Sequence, residues 1–267
     1  MLDLNSVNEG FSRKAEIYDA YCEGHPVICW SRDVVRREVM NCLGTGRSIL
    51  ELNAGTGSDA AYFVQQGYRV HATDIAGGMV SAIRSKIKVS NADECFTAQQ
   101  LSFTELDKVA GAPYDMVFSN FGGLNCTPNL KAVVESLPQL LKLGGYVVWV
   151  VMPPVCPWEL AQVVRGHFKV AVRRLDRRGV LANVEGAGVM TWYHAPKEVV
   201  KAFGSKFQLI RRQSLSLFCP PSYMDGFPHR HPVLTKFLLK LDGKLGGLFP
   251  FNHWGDFVMY TFRYGFI

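Results

Sequence analysis

At 267 residues, 48% apolar and 19% charged, the chain is long enough to bury one large core and too apolar to be disordered throughout. Its net charge of +6 suits a mildly basic surface, and the densest basic run, Arg173, Arg174, Arg177 and Arg178, is too short and too poor in aromatics for a nucleic-acid stripe. Seven cysteines, odd in number and without a C-x-x-C pair, exclude a disulfide framework and a zinc ribbon.

The amino-terminal residues carry no apolar core of signal-peptide length. Ser48 to Leu52 reads as a short apolar strand that runs into a Gly-rich turn and then a helix capped by Ser58 and stopped at Gly67. Arg69 to Ile75 is a second strand, acidic near its end, followed by a helix through Met79, Ile83 and Ile87. A weaker third strand lies around Cys95 to Ala98, and Tyr114 to Phe121 is a strongly apolar fourth. A helix from Leu130 to Leu143, ended by Gly144 and Gly145, leads into a fifth strand, Tyr146 to Met152. That strand is the longest apolar run and is far too short to cross a bilayer. Apolar strands alternating with helices predict an α/β fold, a three-layer Rossmann-like sheet, mostly parallel.

Beyond Pro153 the rhythm changes. Mixed Pro, Arg, Gly and aromatic residues separate the fifth strand from Phe207 to Leu217, and a second irregular stretch containing a helix near 233–241 precedes a final alternating strand, Asp256 to Tyr264. An antiparallel last strand is expected. The chain divides into an amino-terminal helical lid (1–45), a cofactor-binding core (46–152), two inserted cap segments (153–205 and 219–254) and two terminal strands (206–218 and 255–267). Such insertions usually enclose a substrate.

The turn Glu51-x-Asn53-x-Gly55-x-Gly57 places glycines where a backbone can lie against a ligand, and the following helix presents oriented N–H donors. Asp74, seventeen residues after Gly57, stands where a carboxylate can accept both hydroxyls of an adenosine ribose. Gly55-x-Gly57-x-x-Ala60 also satisfies the dinucleotide pattern. Glu51 argues against it, since a carboxylate is unfavourable beside a pyrophosphate but suits an amino-acid tail and a sulfonium charge.

With Asp74-Ile75-Ala76-Gly77-Gly78-Met79 the chain resembles the class I S-adenosylmethionine-dependent methyltransferases. Phe11 to Tyr21, Glu51 to Gly57, Thr73 to Met79, Tyr114 to Asn125 and Leu141 to Val150 resemble successive motifs of the branch that includes the ubiquinone, menaquinone and malonyl-carrier methyltransferases. The resemblance implies S-adenosylmethionine as cofactor, a small-molecule acceptor, an amino-terminal segment folding over the cofactor with Tyr18 near its methyl end, and Met79 packed on the adenine. It implies a cofactor set of Tyr18, Glu51, Asn53, Gly55, Gly57, Asp74, Ile75, Met79, Gln99 and Asn120. Two positions depart from the pattern. Asn53 replaces a glycine, and Ala98, Gln99 or Gln100 stands where an acidic residue would meet the adenine.

Methyl transfer to an oxygen or nitrogen needs positioning and, for some acceptors, a base. Histidine is the usual choice. His194 and His253 sit among aromatics in the insertions and His25 lies beside the lid, so these three are the catalytic candidates. His71, within a strand, reads as structural. His229 and His231, with only Asp225 nearby, do not make a metal site. The expected protein is a soluble, cytoplasmic methyltransferase of a small aromatic or lipophilic metabolite, with nucleic acid and membrane insertion unexpected and the oligomeric state open. An RNA or protein methyltransferase and a noncatalytic S-adenosylmethionine-binding regulator are the alternatives.

Overall fold

The computed structural model describes residues 3–224 and 226–265, so Asp225 and the ends of the expected lid and last strand lie outside it. Two helices, α1 (Leu4–Glu23) and α2 (Pro26–Leu43), precede the sheet. Then come β1 (Ser48–Leu52), α3 (Ser58–Gln65), β2 (Arg69–Asp74), α4 (Gly77–Ser90), β3 (Phe96–Gln100) and β4 (Tyr114–Ser119). They lead to α5 (Leu130–Glu135), α6 (Leu137–Leu140) and β5 (Leu141–Val151). The cap follows with α7 (Pro157–Leu160), α8 (Phe168–Val172), the hairpin β6 (Val180–Val184) and β7 (Ala187–Thr191), and α9 (Pro196–Phe203). The chain closes with β8 (Phe207–Leu215), α10 (Gly226–Arg230), α11 (Pro232–Leu245) and β9 (Phe257–Tyr264).

Among the described residues the main sheet has seven strands in the order β3-β2-β1-β4-β5-β9-β8. The pairs from β3 through β5 are parallel, and β9 is antiparallel to both β5 and β8. The antiparallel last strand is as expected, but it is inserted between neighbours, and β8 forms the edge. Both faces are covered: Leu52, Trp149 and Tyr260 pack on one side with α5 and α9, while Ile49, Phe63 and Phe118 pack on the other with α2 and α3. Burial on both faces explains why these strands read as unbroken apolar runs.

The expected helix of residues 130–143 is broken. Pro138 lacks the N–H that would continue α5 and restarts a single turn, so the helix ends at Leu140 and Gly144 and Gly145 fall inside β5. The hairpin β6–β7 had no counterpart in the sequence reading. It turns through Glu185 and Gly186, both at positive φ, and lies against α1, where a side chain at Gly10 would meet the Val184 carbonyl at 2.9 Å.

Candidate active site at the carboxyl ends of the central strands

The turn after β1 is left-handed three times, at Asn53 (φ 54), Gly55 (φ 57) and Gly57 (φ 76). At Gly57 the requirement is also steric, since an added Cβ would fall 2.8 Å from Ile83 of α4. A Cβ at Gly55 would meet nothing nearer than the Tyr18 ring at 3.9 Å, so this backbone faces the space beneath α1. Asn53 answers the departure noted above: asparagine is, after glycine, among the residues best able to hold positive φ. Its side chain passes over Gly123, where a Cβ would sit 2.4 Å away.

Asp74 ends β2 beside the turn. Its two carboxylate oxygens accept the Gly55 N–H at 2.9 Å and the Ala76 N–H at 2.8 Å, which fixes the carboxylate against the Gly-rich backbone. Burial pushes its pKa up to about 6, the backbone hydrogen bonds opposing. Glu51, 2% exposed, has an Oε2 with no partner, and burial together with the Asp59 charge holds its carboxyl well above the usual range.

Opposite Glu51 stands a group the sequence reading missed. Arg36 donates to Asp59 at 2.7 Å and to the Ser58 carbonyl at 2.9 Å, and Arg32 lies 3.7 Å from Asp59 with its Nε buried and without a hydrogen bond. Asn120, directly after β4, donates through Nδ2 to the other Asp59 oxygen at 2.9 Å, while its side-chain Oδ1 accepts the Phe121 N–H. The guanidinium of Arg32 covers the Phe121 ring at 5.2 Å. Arg32 and Arg36 are four residues apart on α2, a spacing that puts both on one helix face, and this was the available signal.

α1 is clasped across the turn. Asn8 and Ser12 accept the Gly77 and Gly78 N–H groups at the start of α4 at 2.9 and 3.0 Å. Asp19 accepts from Thr56, Ser58 and Lys86. Burial alone would raise the Asp19 pKa, but the Lys86 and Thr56 hydrogen bonds bring it below its ordinary value. Tyr18 is held on the inner side, and burial raises its hydroxyl pKa. A cavity of about 350 Å³, lined in part by Cys22, Arg32, Arg36, Ser58 and Lys86, opens beside the turn.

The remaining residues divide. Met79 is buried on α4, and the Ile75 carbonyl accepts from Gln100 Nε2. Gln99 has its amide engaged by His71, Ala110 and Lys108. His25 caps α2, its Nδ1 accepting from Val27 N–H at 3.3 Å. His253 sits against Arg212 of β8 at 3.4 Å. That strand is four inter-strand steps from β1, roughly 19 Å at ordinary sheet spacing. His194 alone of the three is tied to the carboxyl end of the central strands, through its N–H to the Met152 carbonyl at 3.1 Å. Its ring is buried, Nε2 makes no hydrogen bond, and burial lowers its pKa so that it stays neutral. It lines a cavity of about 400 Å³ with Trp192, Tyr193, Leu130 and Lys201. Among the described residues no group of three or more His, Cys, Asp or Glu could hold a metal, and no helix is long and apolar enough to cross a membrane.

Residues 49–145 match the family described as methyltransferase domain. Among solved structures, geranyl diphosphate C-methyltransferase from Streptomyces coelicolor is 12% identical, with a TM-score of 0.55 over 88% of this chain and 79% of that one. An S-adenosylmethionine-dependent methyltransferase from Mesorhizobium loti is 16% identical, with a TM-score of 0.52 over 85% and 95%. SpnF, a cyclase, is 10% identical, with a TM-score of 0.53 over 86% and 80%. No curated protein matches the sequence. Residues 49–145 thus resemble a methyltransferase domain, and the chain shares its fold with solved structures of which one, that from Mesorhizobium loti, is S-adenosylmethionine-dependent.

That cofactor fits the residues present. The Glu51 oxygen without a hydrogen bond suits an ammonium, Arg32, whose Nε lies 3.7 Å from Asp59 and makes no hydrogen bond, a carboxylate, and Asp74 a pair of ribose hydroxyls beside a backbone that approaches closely.

Proposed function

We infer that the protein transfers a methyl group from S-adenosylmethionine to an oxygen or nitrogen of a small aromatic or lipophilic acceptor. The observation that carries this reading is Glu51 Oε2, buried without a hydrogen bond directly before a left-handed turn that Asp74 braces. A buried carboxyl oxygen with no hydrogen-bond partner is costly unless a ligand answers it, and the ammonium of an amino-acid tail does so.

The bound cofactor supplies an electrophilic methyl. Glu51 and Arg32 would hold its tail, Asp74 its ribose, Met79 would pack near its base, and Tyr18 and Asn120 would flank the reacting end. Catalysis then rests on position, and α1, clasped over the turn, excludes water. His194 is the base this reading favours. A neutral imidazole with an uncommitted Nε2 can take the proton that an alcohol, phenol or amine loses on methylation. Its cavity, with Trp192, Tyr193 and Leu130 alongside Lys131, Arg177, Glu198 and Lys201, supports a small acceptor with an apolar or aromatic part.

Incubating the protein with S-adenosylmethionine carrying an isotopically labelled methyl and a cell extract tests the reading. Label should appear in small, solvent-extractable molecules. Label in RNA or protein would replace the small acceptor with a macromolecule, and cofactor binding without transfer to any fraction would establish a regulatory protein.

A further inference from the structure

We propose that the outer face of the cap docks on an anionic lipid bilayer. The face is built from the 3-10 turn of residues 161–165 and α8 on one side and α10 and α11 on the other. Val164 is 91% exposed and Val233 81%, with Phe168 and Phe237 more than half exposed. The two sides meet at Arg230. It lines both a cavity of about 660 Å³ that includes Val164, Arg165 and Trp158 and a second of about 610 Å³ that includes Val233 and Phe237.

The same elements concentrate charge. Residues 161–178 hold six Arg and Lys against one Asp, and residues 226–245 hold four against one. These two stretches therefore carry net +8 where the whole chain carries +6, leaving the remainder at −2. Arg173 and Arg174 turn inward onto Glu159 and Asp256, while Arg165, Lys169, Arg230, Lys236, Lys240 and Lys244 stand exposed among the apolar tips.

Projecting apolar tips inside a cationic field match a surface of anionic headgroups over acyl chains. A second copy would bring like charge against like charge. A nucleic acid would leave the aliphatic tips uncovered. A partner helix would seat in the hollows beside Arg230, whereas side chains exposed as fully as Val164 and Val233 stand out from the surface.

The test is sedimentation of the full chain with phosphatidylcholine vesicles and with vesicles in which phosphatidylglycerol replaces part of the phosphatidylcholine. Binding should be at least tenfold stronger to the anionic vesicles and weaken steeply with salt. It should fall at least tenfold in the double variant Val164→Asp, Val233→Asp and likewise in Arg230→Glu, Lys236→Glu. All four positions are exposed, and S-adenosylmethionine affinity, measured on the same variants, should be unchanged, which separates this surface from the active site. Absent or charge-independent vesicle binding would overturn the proposal. So would vesicle binding that survives both double variants, or a dimer in solution that Val164→Asp, Val233→Asp dissolves.

Discussion

Arg32 shows how a helix without a motif can bring a charged group to the edge of the sheet. Its neighbours in sequence give no sign of a ligand, and only the packing of α2 against the turn brings it to Asp59 and Glu51. If it holds the carboxylate of the cofactor's tail, Arg32→Ala should weaken S-adenosylmethionine binding by ten- to a hundredfold, the roughly 1.5–3 kcal/mol of a charged hydrogen bond. Binding of 5′-methylthioadenosine, which lacks that tail, should not change. Titration calorimetry with both compounds distinguishes this from a general loss of fold, which would weaken both alike. The placement of Glu51, Gly55, Gly57 and Asp74 around one turn was legible beforehand because a strand, a tight turn and the end of the next strand are local features. Asn53 became legible only with its backbone angle.

At the scale of elements, the cap is bolted to the sheet by a buried ion cluster. Glu159 of α7 accepts from Arg173 at 2.6 and 2.7 Å, from Arg174 at 2.9 Å and from the Tyr223 hydroxyl at 3.0 Å. Arg174 also reaches Asp256, just before β9, at 2.7 Å. Burial alone would raise the Glu159 pKa, but the two guanidinium groups hold it down to about 2 from an ordinary 4.5. A depressed carboxylate contributes stability that is complete above its unfolded pKa and is lost as pH falls toward the folded one, here between 4.5 and about 2. The amount at stake is roughly 3 kcal/mol. Fluorescence of Trp158, adjacent on α7, should therefore report an acid transition of the cap in that window, and Glu159→Gln should flatten it. An identical acid profile in the variant would refute the bolt. The basic run of residues 173–178 gave no hint of this, because which arginines turn inward depends on carboxylates fourteen and more residues away. The hairpin escaped for a related reason: Glu185-Gly186 adopts the two positive φ angles that Asn-Gly ordinarily announces. The break at Pro138 was written in the sequence and outweighed by the apolar spacing around it.

Across the whole molecule, the sheet supplies a fixed edge and everything else is arranged over it. β1, β2 and β4 deliver Glu51, Asp74 and Asn120 to one end, α2 brings the arginines from the side, and α1 crosses above, pinned by Asn8, Ser12 and Asp19 and backed by the β6–β7 hairpin. The parallel sheet with its antiparallel last strand was readable from the alternation of apolar strands and helices. The placement of that strand between two neighbours, and the clasp of α1, belong to tertiary packing. The central claim is that this edge holds a methyl donor through Asp74. Calorimetric titration of the protein with S-adenosylmethionine between about pH 5 and pH 8 tests it directly. Because burial places the Asp74 pKa at about 6, affinity should rise as the carboxylate ionises through that value and then level off. Asp74→Ala should bind at least tenfold more weakly and show no such rise. Undiminished binding by Asp74→Ala, with the same dependence on pH, would contradict the account.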